Sequence, residues 1–118
     1  RKPILSWTGS DLVQKGISTS TVLNFNTWYY LTGTHDGNTG RLYLNGTLIN
    51  SVNADDISTP VGTLLLGAYT TYGQYSFPGE IASQRIYNST KSPQWIKTEY
   101  NNQSSPEGFI KVGILEKQ

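Results

Sequence analysis

The sequence predicts an all-β domain, an antiparallel β-sandwich with one short C-terminal helix. Two observations carry this prediction. Short apolar segments recur between turn-forming residues along most of the chain, a spacing that is typical of sandwiches and barrels. Residues 41–49 also read as two strands about Asn45-Gly46. Asn-Gly is a strong hairpin signal because both central residues of a type I′ turn need positive φ.

The turns divide the chain into short predicted strands. Glycine, proline, asparagine and aspartate mark these turns. Glycine accepts positive φ, proline fixes φ near the value that a turn needs, and asparagine and aspartate bond nearby backbone groups. The predicted strands cover residues 3–8, 11–18, 27–34, 41–45, 47–52, 63–69 and 78–87. The predicted turns lie at Gly9-Ser10, Asp36-Gly37-Asn38, Asn45-Gly46, Asp55-Asp56 and Thr59-Pro60.

One helix is predicted after these strands. Ser92 is a good N-cap, and Pro93 would occupy the first helical position, where a missing N–H costs nothing. Trp95, Ile96 and Tyr100 then gather on one side of the helix. Beyond it, residues 104–106 read as a linker. Residues 108–115 read either as a last edge strand or as the start of a following module.

Aromatic residues supply most of the predicted core. Trp28, Tyr30 and Trp95 are predicted to be buried, and Phe77 is predicted to end a strand and enter the core. Tyr69 has two interpretations, the same core position at a strand end or a ligand contact. Trp7 is left with two interpretations, a core residue or a ligand contact.

Composition excludes several classes of protein. The 118 residues carry a formal net charge of +1, only 14% of them are charged, and Lys and Arg are scattered rather than clustered. This distribution argues against a nucleic-acid partner. The chain contains no cysteine, which excludes a disulfide scaffold. No apolar run approaches the ~20 residues that a membrane-spanning helix needs.

Five segments occur in an order that resembles a known family. They are a Trp28-led strand, the Asp36-Gly37 turn, RLYLNG at 41–46, LLLG at 64–67 and GEIASQRIYN at 79–88. SPQWIKTEY at 92–100 follows them, where the family has a short helix. From about Asn24 to about Tyr100, the chain resembles the laminin-G-like branch of the concanavalin A-like lectin/glucanase superfamily. The resemblance implies a jelly-roll sandwich and a non-catalytic recognition role outside the cell or on its surface, most often carbohydrate binding or adhesion.

Two other roles stay open beside that one. The chain can be a structural module of a surface layer, fibre or multidomain surface protein that has no sugar ligand. It can also be an accessory domain of a larger glycoside hydrolase. Fold alone does not separate these roles, because function depends on the site that a fold carries.

The resemblance also bears on domain organisation. Residues 1–103 are expected to form the laminin-G-like sandwich, and residues 104–118 the linker with the edge strand or next module. The chain lacks methionine and begins at Arg1, whereas the family usually has further strands before the Trp-led strand. A partial sandwich is therefore expected, with strands completed by a longer parent chain or by strand exchange in a homo-oligomer.

No catalytic constellation is predicted. The glucanases of this superfamily use carboxylates at i, i+2 and i+5 of one strand, and no acidic residue here has that spacing. Glu80 is followed by Ala82 and Arg85 at those positions. Retaining glycoside hydrolysis needs two placed carboxyl groups, so a non-enzyme is expected. His35 is the sole histidine, which excludes an ordinary zinc site, and we expect it in an exposed turn.

Calcium is the one metal that the family resemblance suggests. The candidate ligands by residue type are Asp36, Asn38, Asp55 and Asp56, since hard cations prefer oxygen ligands. The family often has an acidic residue after its Gly-x-Ile turn, but residues 81–84 here read Ile-Ala-Ser-Gln. This departure weakens the case for calcium.

The segment 69–77 is the predicted ligand-binding loop. Its aromatic rings can stack on the C–H faces of sugars, while its hydroxyl and amide groups can bond sugar hydroxyls. The predicted ligand contacts are Tyr69, Tyr72, Gln74 and Tyr75, together with Trp7. The predicted partner is thus a carbohydrate or another cell-surface ligand.

Overall fold

The computed structural model describes residues 2–11, 13–54, 57 and 77–109. Its contacts divide the chain into two units, one formed by Arg1–Ser58 and Ser89–Gln118 and the other by Thr59–Asn88. All of the strands and helices described here belong to the first unit.

Strands β1 (Ile4–Thr8) and β2 (Gln14–Ser18) form an antiparallel hairpin in which Leu5 pairs with Ile17. The turn between them is held by Asp11, whose Oδ1 accepts from the Val13 N–H at 3.1 Å. Because a turn follows β1, β2 begins at Gln14, three residues later than the strand predicted at 11–18.

Strands β3 (Leu31–His35), β4 (Thr39–Leu44) and β5 (Thr47–Asn53) form an antiparallel sheet in the order β3-β4-β5. Asn45 and Gly46 connect β4 to β5 with φ angles of 51° and 72°. Both are positive, as the predicted type I′ turn requires. Gly37, with φ of 92°, supplies the left-handed residue of the β3–β4 turn.

The hairpin packs on the sheet through apolar side chains that meet glycines. A Cβ atom placed on Gly33 would lie 2.6 Å from a Leu5 methyl, and one placed on Gly40 would lie 2.9 Å from Trp7 Cη2 and 3.1 Å from Ile17 Cδ1. Period-two alternation therefore directs Leu5, Trp7 and Ile17 to one layer. This two-layer packing, with Ile17 and Leu42 each 1% exposed, confirms the predicted antiparallel sandwich.

Helix α1 (Pro93–Ser104) begins as the sequence predicts. Ser92 has extended backbone, and its hydroxyl accepts from the Trp95 N–H at 3.1 Å. Ile96 is fully buried, and the rings of Tyr30 and Tyr100 lie 6.1 Å apart. A second short helix, α2 (Pro106–Phe109), follows and contains Gly108. Residues 110–115 of the segment predicted as an edge strand or following module lie outside the described residues.

Several predictions of burial and strand position are wrong. Trp28 is 64% exposed, because β3 begins at Leu31 and Trp28 lies before it, in a segment where Asn26 has a φ of 53°. Phe77 is 54% exposed. Residues 78–87 are exposed throughout and form no strand with the described residues, which is consistent with their two mixed apolar and polar faces. The strand predicted at 63–69 lies outside the described residues.

Candidate functional site

The described residues contain three of the predicted ligand contacts, Trp7, Asp36 and Asn38. They lie toward one end of the sandwich, near the β3–β4 turn. The other predicted contacts, Tyr69, Tyr72, Gln74, Tyr75, Asp55 and Asp56, lie outside the described residues.

Trp7 is half-buried between the hairpin and the sheet. Its ring lies over Gly40 and makes an edge-to-face contact with the ring of His35, with centroids 5.2 Å apart and an angle of 68° between planes. Such T-shaped pairs are favoured because the positive ring edge meets the negative face. Trp7 thus joins the two sheets, and its role as a ligand contact stays a prediction.

His35 is the last residue of β3, not the exposed turn residue that was predicted. Its Nδ1 accepts from the Gly37 N–H at 3.1 Å. This contact makes Nδ1 the acceptor nitrogen of the ring. Nε2 of His35 and Nε1 of Trp7 are buried and have no hydrogen-bond partner among the described residues.

Asp36 organises the β3–β4 turn. Its Oδ1 accepts from the Asn38 N–H at 3.0 Å and the Thr39 N–H at 2.8 Å, while Oδ2 accepts from Arg41 Nη1 at 2.5 Å. The hydrogen bond from Arg41, followed by those from the two amides, lowers the pKa of Asp36 from 3.8 to about 2. The same bond raises the pKa of Arg41.

These contacts bear directly on the calcium hypothesis. Both oxygens of Asp36 already have cationic or amide donors, so a calcium ion at this turn would have to displace Arg41. Within the described ranges, no three His, Cys, Asp or Glu side chains lie together in a way that could hold a metal. Asp36 therefore acts as a turn-forming carboxylate in this arrangement.

Acidification is expected to weaken the β3–β4 turn. Because the pKa of Asp36 is lower in the folded state, its stabilising contribution is complete above about pH 3.8 and is lost as the pH falls toward 2. Asp36→Asn should therefore flatten the fall in melting temperature between those pH values. The control, Glu80→Gln, removes an exposed carboxylate elsewhere and should leave the curve unchanged. Parallel curves for Asp36→Asn and the parent chain would contradict this account.

Two residues of this end of the sandwich were missed by the sequence interpretation. Arg41 follows Asp36 by five residues, a spacing that could have suggested their pairing across a tight turn. Thr90 donates its hydroxyl hydrogen bond to the His35 carbonyl at 2.7 Å and so ties the segment before α1 to the end of β3. Nothing in the sequence around Thr90 signals this contact, which depends on tertiary structure.

A cleft beside α1 and α2 offers little for recognition. It is lined by Asn101, Ser104, Ser105 and Gly108. These residues supply neither an aromatic face nor a charged group. No helix in the described part of the chain has the length and apolar character needed to cross a membrane.

Comparisons with known proteins agree on the fold. A laminin G family model, described as the concanavalin A-like lectin/glucanases superfamily, matches residues 2–97. A 2.1 Å crystal structure of an S-layer domain-containing protein from Clostridium thermocellum is similar to the chain, with a TM-score of 0.56 and 25% identity. The match covers 74% of this chain and 45% of that one, so the chain spans less than half of that structure. No curated protein matches.

Proposed function

The chain belongs to the concanavalin A-like lectin/glucanase superfamily, and from this membership we propose that it is a non-catalytic recognition module that binds carbohydrate or mediates adhesion. Its place of action would be outside the cell or at the cell surface. The observation that carries the proposal is the tyrosine-rich segment 69–77 of the sequence. Neutral, planar, amphipathic side chains at this density suit a neutral glycan better than a charged ligand.

Two features of the chain support this proposal. Tyr69, Tyr72 and Tyr75 alternate with Thr, Gly, Gln and Ser in a segment that contains no charged residue. Aromatic faces would stack on sugar C–H groups, and Gln74 would bond sugar hydroxyls. The whole chain carries little net charge, which gives no attraction toward a polyanion.

The experiment is a glycan screen followed by two loop variants. Tyr72→Ala and Tyr75→Ala are each expected to weaken glycan affinity by about 2–12-fold, because one aromatic contact contributes about 0.5–1.5 kcal/mol beyond burial. Tyr87→Ala, at an exposed tyrosine outside the segment, is the matched control and should bind like the parent. Unchanged binding in both loop variants would show that segment 69–77 is not the binding site. A glycan screen without hits would contradict the proposal of a carbohydrate ligand.

Absence of catalysis is part of the same proposal. The chain lacks the i, i+2, i+5 carboxylate pattern that the superfamily's glucanases use, since Ala82 and Arg85 follow Glu80. We expect no release of reducing ends from β-glucans. Release that Glu80→Gln abolishes would overturn this expectation. Catalytic domains elsewhere in a longer parent protein would instead make the chain an accessory domain of a hydrolase.

The similarity to an S-layer domain-containing protein favours a second candidate, a structural module that associates with copies of itself. An apolar surface on the described residues supports it. Val22, Phe25 and Trp28 are 60%, 73% and 64% exposed, and no Lys, Arg, Asp or Glu occurs between Lys15 and Asp36. Exposed apolar surface without charge is typical of interaction sites. Strand exchange would serve the same end.

Light scattering on the purified chain separates the two candidates. A structural module should form dimers or larger assemblies that Phe25→Ser and Trp28→Ser reduce. Ile86→Ser, at a residue that is 66% exposed in the second unit, is the control. A monomer that none of these changes affects would remove the structural candidate and leave glycan recognition.

Calcium binding through Asp36, Asn38, Asp55 and Asp56 stays a prediction. If calcium is required, it must separate Arg41 from Asp36. Its addition should then raise the melting temperature, and both Asp36→Asn and a chelator should abolish the rise. A melting temperature that is insensitive to calcium would exclude this ligand set.

A further inference from the structure

The turn between β4 and β5 contains a dipeptide that is open to covalent modification. Asn45-Gly46 is the single Asn-Gly step in the sequence. In such a step the glycine nitrogen can attack Cγ of the asparagine, since glycine has no side chain to hinder the approach. A C–N bond forms, ammonia leaves, and water then opens the cyclic imide at one of its two carbonyls. The products are aspartate and isoaspartate.

The folded chain holds the Asn45 side chain away from this reaction. The Asn45 N–H donates to the Tyr30 carbonyl at 2.8 Å, and Oδ1 of Asn45 accepts from the Tyr30 N–H at 2.9 Å. The asparagine is thus fastened at two points to the residue that precedes β3. Rotation of its side-chain carbonyl toward the Gly46 nitrogen would break the second of these bonds and leave the Tyr30 N–H without its acceptor.

Helix α1 restricts the turn from its other side. A Cβ atom placed on Gly46 would lie 2.9 Å from Lys97 Cδ, 3.1 Å from Tyr100 Cβ and 3.2 Å from Lys97 Cα. The helix therefore leaves almost no free space beside the glycine. Asn45 has a left-handed backbone, and formation of the five-membered imide ring requires the backbone of the turn to change. This change would bring the turn into collision with α1.

From these contacts we infer that Asn45 is a deamidation site that Tyr30 and α1 protect in the folded chain and that reacts when α1 moves away from the β4–β5 turn. Local opening of this kind is expected at a free energy below that of global unfolding. The inference is independent of the proposed function, because it rests on covalent chemistry in the turn and on no ligand.

Two Asn-Ser steps provide internal references. Asn88 is exposed and lies outside any helix or strand, so the fold should not slow its reaction. Asn50 lies within β5, where its Nδ2 donates to the Ser18 carbonyl at 2.6 Å, and it should react only when the sheet opens. Serine hinders the attacking nitrogen more than glycine does. In the unfolded chain Asn45 should therefore deamidate faster than Asn50 and Asn88. In the folded chain Asn45 should no longer be the fastest of the three.

The test is peptide mapping by mass spectrometry of the 118-residue chain at mildly alkaline pH, folded and in urea. Deamidation of Asn45 is expected to be at least about tenfold slower in the folded chain, which corresponds to about 1.4 kcal/mol of opening free energy. Asn88 should react at similar rates in both conditions once the effect of urea on a free peptide is subtracted. Equal rates at Asn45 in folded and unfolded chains would overturn the inference.

Substitutions in α1 test the role of the helix. Lys97→Ala and Tyr100→Ala should accelerate deamidation of Asn45 while Asn50 and Asn88 keep their rates. Thr98→Ala, at an exposed helical residue, is the matched control and should change nothing. If Asn50 accelerates together with Asn45 in Tyr100→Ala, the sheet itself has opened and the milder Lys97→Ala decides. Unchanged Asn45 rates in both variants would contradict the part assigned to α1.

Discussion

Replacement of Ile17 by alanine is expected to lower the free energy of unfolding by about 2–5 kcal/mol, the range for a fully buried isoleucine. Ile17 is 1% exposed and packs from β2 against the sheet, where its Cδ1 would lie 3.1 Å from a Cβ atom placed on Gly40. Its removal leaves a cavity between the two layers that the neighbouring Trp7 ring fills only in part. Urea denaturation followed by tryptophan fluorescence measures the loss.

The same hairpin offers a matched control for this prediction. Ile4 lies on the opposite face of the hairpin, in β1, and is 64% exposed. Ile4→Ala removes the same atoms but creates no cavity, so a change within about 0.5 kcal/mol is expected. Equal losses for Ile4→Ala and Ile17→Ala would show that the hairpin does not pack on the sheet through the face described here.

Addition of a methyl group to Gly40 is expected to destabilise the chain by about 1–3 kcal/mol, the usual cost of overpacking a filled core. The new Cβ would lie 2.9 Å from Trp7 Cη2, 3.1 Å from Ile17 Cδ1 and 3.2 Å from Trp7 Cζ3. A rigid indole cannot move aside without separating the hairpin from β4. Gly40→Ala should therefore lower the denaturation midpoint and weaken the contact between Trp7 and His35, which the ring-proton chemical shifts of His35 report.

A second glycine gives the control. Gly108 lies in α2, and among the described residues the nearest atom outside the helix's own backbone to a Cβ placed there is Ser105 Cβ at 3.8 Å. Gly108→Ala is expected to be neutral or to stabilise by up to about 1 kcal/mol, since alanine favours helix and restricts the unfolded chain. A Gly40→Ala variant as stable as Gly108→Ala would contradict the close approach of the two layers.

The local elements of this fold could be predicted from the sequence because their causes are local. Asn45-Gly46 forms a turn with two positive φ angles because few other residue pairs tolerate that backbone. Helix α1 begins at Ser92 and Pro93 because a hydroxyl cap and a fixed φ satisfy the first turn of the helix. The family membership could be predicted as well, since these turns and strands occur in the order that the family shows.

The burial of individual side chains was decided by tertiary structure. Trp28 was expected in the core, yet it is exposed. The reason is that β3 begins at Leu31, three residues after Trp28, and no described element covers the Trp28 side chain. The strand expected at 78–87 fails for a related reason, since a strand needs a partner and its sequence has no cleanly apolar face to select one. Both predictions used local apolar character, whereas burial also depends on a neighbouring element that covers the side chain.

The candidate site divides in the same way. The Asp36-Gly37 turn could be predicted from the sequence, because aspartate and glycine favour turns through their own local backbone interactions. Only the tertiary structure placed Trp7 against His35 and Thr90 on the end of β3, because these residues meet through the packing of the hairpin and of the segment before α1 on the sheet. Contacts between distant parts of a chain depend on which layers pack together, and no local pattern of residues encodes that choice.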